Sequence, residues 1–281
     1  MTAATYRIIR PRVRRRRHPI ARWYRRNERT VLRTGGVLAF FVLYQVTSDL
    51  GLIDSFLFSS PLAIAAAGAR EVTLPRFWSD LWISAAELGV GTLLAIVTAV
   101  PLGIAIGWYR RLSLGADPWL NFMNALPRAA LVPLVVLWAG LGFEMKVLIV
   151  FLGGFFSIIL PTVDGVRTAE RQFIDVARSF RASDRLILIS IVLPGIVPFI
   201  VSGMRILVGR VLAGVVIAEF YAQTEGIGVM VAKAAASLQM DRMLFGVLIF
   251  TIMGIVFYEM VGALERHFER WRPSTNLEEE A

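Results

Sequence analysis

Cysteine is absent from this chain of 281 residues, and histidine occurs only twice, at His18 and His267. Without a thiol the chain can form no disulfide framework and can perform no thiol chemistry. Both histidines lie in charged flanks, so a metal site built from histidine and cysteine side chains is excluded. We expect no metal site, no cofactor and no catalytic residue in this chain.

Lysine is nearly absent as well, since Lys146 and Lys233 are the only two. A P-loop for nucleotide phosphates needs a glycine directly before its lysine, followed by Ser or Thr. Met145 and Ala232 stand in the glycine place here, so the chain cannot be an ATPase. If the chain transports a solute, the energy must come from a partner chain or from an ion gradient.

Positive charge is abundant and unevenly placed. The net charge is +9, and residues 1–33 carry twelve arginines and one acid, Glu28, which leaves the remainder close to neutral. Basic arms of this kind bind nucleic acid or anionic lipid. Because this arm adjoins an apolar run, we interpret it as a basic cytoplasmic arm that anchors at lipid and binds no nucleic acid.

Long apolar runs dominate the rest of the chain, which is 56% hydrophobic with a mean hydropathy of +0.63. A spanning helix needs about 20 apolar residues. The sequence therefore predicts an all-α membrane protein with six transmembrane helices in a domain over 34–265, followed by a cytoplasmic tail over 266–281. The runs lie at about 35–53, 81–108, 120–141, 146–163, 195–219 and 243–264.

The distribution of basic residues orients these spans. With the amino terminus in the cytoplasm, the inner segments hold twenty-two basic residues and the outer segments hold five. Positive charge concentrates on the cytoplasmic side. Both termini are therefore predicted to be cytoplasmic, and so is the charged loop over about 164–194 between the fourth and fifth spans.

A short amphipathic helix is predicted within this loop, over 169–180. Phe173, Val176, Ala177 and Phe180 fall on one face at helical spacing, with charged residues on the other. Such a helix either rests on lipid headgroups or docks in a groove of a soluble partner, and composition leaves both readings open. Pro194 suits the first turn of the helix that follows.

The same loop resembles the signature of permease subunits in ABC importers, which reads Glu-Ala-Ala, three residues, Gly, nine residues, Ile, one residue, Leu-Pro. The spacing matches throughout, and Arg181 in the glycine place is the departure, because glycine would end the short helix in a left-handed conformation. Either the turn takes another shape here or coupling is weaker. The matching residues are Asp175, Val176, Ala177, Arg181, Ile191, Leu193 and Pro194.

A second resemblance, to the nitrate, sulfonate and taurine permeases, covers about 79–265 and is clearest at 99–107, 125–147 and 202–220. It implies a bacterial inner-membrane permease that carries a small anion. It further implies partners: cytoplasmic ABC ATPase subunits docked on the loop, an extracytoplasmic substrate-binding protein, and a second permease chain, expected to be identical.

Charged and aromatic residues in the spans offer candidates for a translocation path: Arg205, Arg210, Glu219 and Trp138. Intramembrane charges are costly and usually face the bundle interior. The arginines could line a path for anions or form structural ion pairs with Glu87 or Glu219. Glu219 could serve an outer gate or lie at the interface, and Trp138 could stack on a solute or anchor its helix at the membrane boundary.

Two other classes of function compete with the permease. A self-contained ion-coupled carrier or channel would need ionisable relays in several spans, and the loop signature argues against it. A membrane anchor acting through the basic arm would bind lipid or nucleic acid without transport.

Overall fold

The computed structural model describes residues 19–169 and 171–268, and over these ranges the chain consists of helices and short connections. The prediction of an all-α protein is confirmed for this part of the chain. The helices are α1 (Pro19–Asp49), α2 (Ser55–Phe58), α3 (Pro61–Glu71), α4 (Pro75–Trp108), α5 (Arg110–Ala125), α6 (Arg128–Ala139), α7 (Phe143–Thr168), α8 (Arg171–Ser179), α9 (Asp184–Ile187), a π-helical turn (Leu188–Val192), α10 (Leu193–Ala222), α11 (Ile227–Ala236) and α12 (Met240–Phe268).

Four helices in the described ranges are long and apolar enough to cross a membrane: α4, α7, α12 as far as Ala263, and a continuous helix over Asp184–Ala222. The bent pair of α5 and α6 adds a fifth if it is counted as one span. The first predicted span, 35–53, falls largely in α1, which is outside this count, so six spans remain a prediction.

Helix α1 begins at Pro19, well before the first apolar run, so the second half of the basic arm is helical and continuous with the apolar segment. A kink at Asn27, with φ −113° and ψ 15°, separates the charged part from the apolar part. The first half of the arm and the tail beyond Phe268 lie outside the described residues.

The core of the bundle is α7, which packs between α4 and α10. Its apolar residues Val150, Ile158 and Ile159 are buried against both neighbours. Gly103 and Gly107 on α4 form a close-packing pair against α7. A Cβ atom at either position would come within 3 Å of a side-chain carbon on α7, so only glycine lets the two helix backbones approach this closely.

The predicted third span, 120–141, is not one continuous helix. It breaks at Leu126 and Pro127, where the backbone is extended, and α5 and α6 meet at an angle of 91°. Proline disfavours helical geometry in the residue before it, so the helix ends there. The bend brings Arg128, the first residue of α6, to the Phe156 ring on α7.

The fifth span extends further into the loop at 164–194 than the predicted 195–219, because the helix starts at Asp184. Ser183 caps its first turn by accepting a hydrogen bond from the Leu186 N–H at 3.3 Å. A π-helical turn leads into Pro194, and it ends where the Leu193 N–H bonds to the Leu188 carbonyl. Turns of this width are rare and occur often at functional sites.

Candidate coupling loop and translocation path

Helix α8 in the loop ends in the turn that the family signature requires. The Ala182 N–H donates to the Ala177 carbonyl at 3.0 Å, and the Arg181 N–H donates to the Arg178 carbonyl at 2.8 Å. These two bonds form a Schellman motif, whose left-handed residue is normally glycine. Arg181 adopts that conformation with φ 56°. The sequence left open whether the turn at Arg181 takes another shape than the glycine turn, and this alternative is wrong.

The exposed face of α8 differs from the predicted one in a single residue. Phe173, Val176 and Phe180 are exposed, and Phe180 is the most open of them at 84%. Ala177 is half-buried instead. Together with Ile174 it packs against an apolar cluster at the ends of the spans that adjoin the loop. The prediction that Ala177 shares the face of the two phenylalanines is wrong, because the side of α8 that carries Ile174 faces the bundle.

This cluster joins the loop to the adjoining ends of the spans. Its buried members are Ile187 beside the π-helical turn, Val192 within it, Ile196 on α10 and Val166 on α7. The signature residues Ile191 and Leu193 are half-buried against it, whereas Asp175 and Pro194 are exposed. Packed apolar side chains thus connect α8 to α7 and α10.

The four candidates for a translocation path fall into three places. Arg205 and Arg210 lie on the exposed side of α10, whereas Glu219 lies on the buried side of the same helix. Trp138 lies one residue before the end of α6 and is 71% exposed. The structure therefore groups the two arginines and separates Glu219 and Trp138 from them.

Glu219 belongs to a buried polar cluster that fixes the amino terminus of α11. Its carboxylate accepts hydrogen bonds from the Ser84 hydroxyl on α4 and from the Gly228 N–H. Ser84 in turn accepts from the Ile227 N–H at 2.9 Å, and Asp80 accepts from the Gly226 N–H at 3.0 Å. Carboxylates at a helix amino terminus satisfy its free N–H groups and interact favourably with its dipole.

An ion pair between Lys146 on α7 and Glu87 on α4 extends this cluster. The two side chains are 2% and 0% exposed, and the Lys146 ammonium also donates to the Glu225 carbonyl at 3.0 Å. Four elements are thus joined at one level: α4, α7, the end of α10 and the start of α11. In the predicted orientation this level lies toward the outer face of the membrane.

Most of this cluster is not predicted from the sequence. The sequence offers Glu87 only as a partner for the arginines of α10. A signal was available, because Asp80, Ser84 and Glu87 recur at helical spacing on one side of an apolar run. Their partners come from distant segments that no local pattern indicates.

The fold and the loop together define a permease subunit, an apolar helical bundle with an amphipathic helix held at one end. The family of binding-protein-dependent transport system inner membrane components matches residues 99–271. The chain belongs to this family, and it is a multi-pass inner-membrane protein.

Relatives in the family carry names of sulfonate and taurine transport. SsuC of Bacillus subtilis, an aliphatic sulfonates transport permease protein, is 28% identical, covering 83% of this chain and 84% of its own. TauC of Escherichia coli, a taurine transport system permease protein, is 27% identical, covering 87% and 91%. These shares span most of each protein, so the likeness extends beyond the loop.

Among solved structures, a chain of the MetNI methionine ABC transporter in an inward-facing conformation has the same fold. The TM-score is 0.57 at 15% sequence identity, and the match covers 68% of this chain and 94% of the other. At this identity the likeness concerns the fold alone.

Proposed function

We propose that this chain is the permease of an importer for small sulfonates, powered by ATPase subunits that dock on α8. The observation that carries the proposal is the Schellman turn after α8, together with the exposed face of Phe173, Val176 and Phe180. Three exposed apolar side chains on one helix face fit a groove in a soluble partner.

The connection from α8 to the spans supports a coupling role over simple rest on lipid headgroups. Ala177 and Ile174 hold the helix against Val166 and Ile196. Closure of the ATPases on nucleotide would draw two such loops together and change the tilt of α7 and α10. This would shift the bundle between inward-open and outward-open states, which is alternating access driven by the differential binding of states.

The complex we propose contains two copies of this chain, two ATPase subunits and an extracytoplasmic binding protein that delivers the solute. Both termini and α8 lie in the cytoplasm, as the distribution of basic residues indicates. The path follows the exposed side of α10, where Arg205 and Arg210 lie. A sulfonate or a related small anion suits these charges, and the names of the relatives agree with it.

The test is co-purification with uptake. The tagged full-length chain, extracted gently from its native membrane, should bring down a P-loop ATPase in fixed proportion. Cells that express the complex should accumulate ³⁵S-labelled ethanesulfonate. Phe180→Glu should abolish both, because it places a charge on the docking face. Phe58→Glu is the matched control, since Phe58 is an exposed phenylalanine on α2 at the predicted outer side.

A chain that purifies alone at every detergent strength, or a Phe180→Glu variant that retains its ATPase, would contradict the proposal. The first result would favour an ion-coupled carrier. The second would favour the alternative that α8 rests on lipid headgroups.

A further inference from the structure

Arg128 occupies an unusual position, the first residue of α6 directly after the 91° bend. Its guanidinium lies 5.7 Å from the centroid of the Phe156 ring on α7, and its Nη2 donates to the Asn124 side-chain oxygen at 3.3 Å. The Arg128 Nε is buried and has no hydrogen-bond partner among the described residues. Phe156 lies midway along α7, so this charge is near the middle of the membrane.

Arg210 comes to the same level from α10. Its carbonyl oxygen would lie 3.1 Å from a Cβ atom added at Gly153, and Gly153 precedes Phe156 by less than one turn of α7. Arg128 and Arg210 therefore lie at a similar level near the middle of the membrane, where an uncompensated charge is costly.

The buried carboxylates on the neighbouring helices are committed elsewhere. Glu87 pairs with Lys146, and Glu219 accepts from Ser84 and Gly228. Space is available beside Arg210, because nothing lies within 4 Å of a Cβ atom added at Gly209, one residue before it. The amino terminus of α6 adds N–H groups and the positive end of a helix dipole, as broken helices do in other carriers.

We propose that Arg128, Arg210 and the amino terminus of α6 form a mid-membrane binding site for an anionic headgroup of the sulfonate type. This inference rests on the proposed function and deepens it, since Arg128 was not among the candidates drawn from the sequence. The guanidinium of Arg128 would donate to one oxygen of the sulfonate and Arg210 to another, so the single negative charge would be shared between two cations. The broken helix thus becomes part of the path.

The test is direct binding to the full-length chain in nanodiscs of zwitterionic phosphatidylcholine. The probe is trifluoromethanesulfonate, followed by ¹⁹F saturation-transfer NMR, with ethanesulfonate as the competitor. Arg128→Gln and Arg210→Gln should each weaken binding about tenfold or more, since each removes a charged hydrogen-bond donor. Arg210→Lys should retain most of it. Arg111→Gln, which removes an exposed arginine at the start of α5, is the control and should bind as the wild type does.

The site is supported if both glutamine variants lose binding of the probe while Arg210→Lys and Arg111→Gln retain it. The inference is overturned if the wild type does not bind the probe, or if the glutamine variants bind it as tightly as Arg111→Gln does. Co-purification of the ATPase and uptake of ethanesulfonate are read separately, so the site can fail while the proposed function stands.

Discussion

The ion pair between Lys146 and Glu87 allows a quantitative prediction. Both side chains are fully buried, so Lys146→Met would leave the Glu87 carboxylate without its counter-charge. Removing one partner of a buried pair costs about 3–5 kcal/mol, whereas replacing both partners with neutral groups is often tolerated. We therefore expect Lys146→Met to be strongly destabilising and the double variant Lys146→Met with Glu87→Gln to recover most of the loss.

The recovery should be incomplete. Lys146 also donates to the Glu225 carbonyl, and a lost hydrogen bond to a charged group costs roughly 1.5–3 kcal/mol. For a chain of this size each kcal/mol corresponds to about 2–4 °C in Tm. The single variant should thus lower Tm by roughly 6–20 °C, and the double variant by about half as much or less.

The assay is thermal unfolding of the full-length chain in a mild detergent, followed by size-exclusion chromatography after heating. Arg111→Gln serves as the control, because its side chain is exposed and its loss should leave Tm unchanged. If Lys146→Met and the double variant lose equal stability, the unpaired Glu87 carboxylate costs no stability when its counter-charge is removed. The account of the buried cluster as an electrostatic junction would then be refuted.

Three further predictions concern the loop, the packing and the orientation. Arg181→Gly should make amide hydrogen exchange in 178–183 about two- to fivefold slower, because relief of the left-handed strain of about 1–2 kcal/mol exceeds the entropic cost of glycine. Arg181→Ala should not slow the exchange, and equal protection in both variants would show that Arg181 is not strained. Gly103→Leu should reduce the yield of folded protein, since Thr162 fills the space beside Gly103. Gly209→Leu should leave this yield unchanged, and an equal loss of folded protein in both variants would contradict the close packing at Gly103. A membrane-impermeant maleimide added to intact cells should label Ser237→Cys but not Ser179→Cys, and the reverse would invert the orientation.

The sequence was sufficient to predict the helices whose apolar runs are continuous. The runs at 146–163 and 243–264 lie within α7 and α12, although each helix extends several residues into its polar flanks. These ends are set by caps and packing, which hydropathy does not register. The loop sequence likewise indicated where α8 and Pro194 lie, because its spacing matches a short helix, a turn and the start of the next spanning helix.

Features that depend on distant contacts could not be predicted in this way. The break at Pro127 has a local cause, yet its 91° angle is visible only in three dimensions. The side of α8 occupied by Ala177 depends on the apolar cluster at the inner ends of α4, α7 and α10. The partners of Glu219 are Ser84, far earlier in the chain, and a backbone N–H, which no side-chain pattern encodes.

The measurement that tests the central claim most directly is cross-linking from the exposed face of α8. The chain has no cysteine, so Phe180→Cys introduces a single reactive thiol directly after α8, at the most exposed of its three exposed apolar side chains. A maleimide–photoreactive reagent attached there should join this chain to a P-loop ATPase in native membranes. The same reagent at Trp82→Cys, an exposed position on α4 toward the predicted outer side, should not form this adduct. Absence of an ATPase adduct at position 180, or an equal adduct at position 82, would contradict the assignment of α8 as the coupling helix.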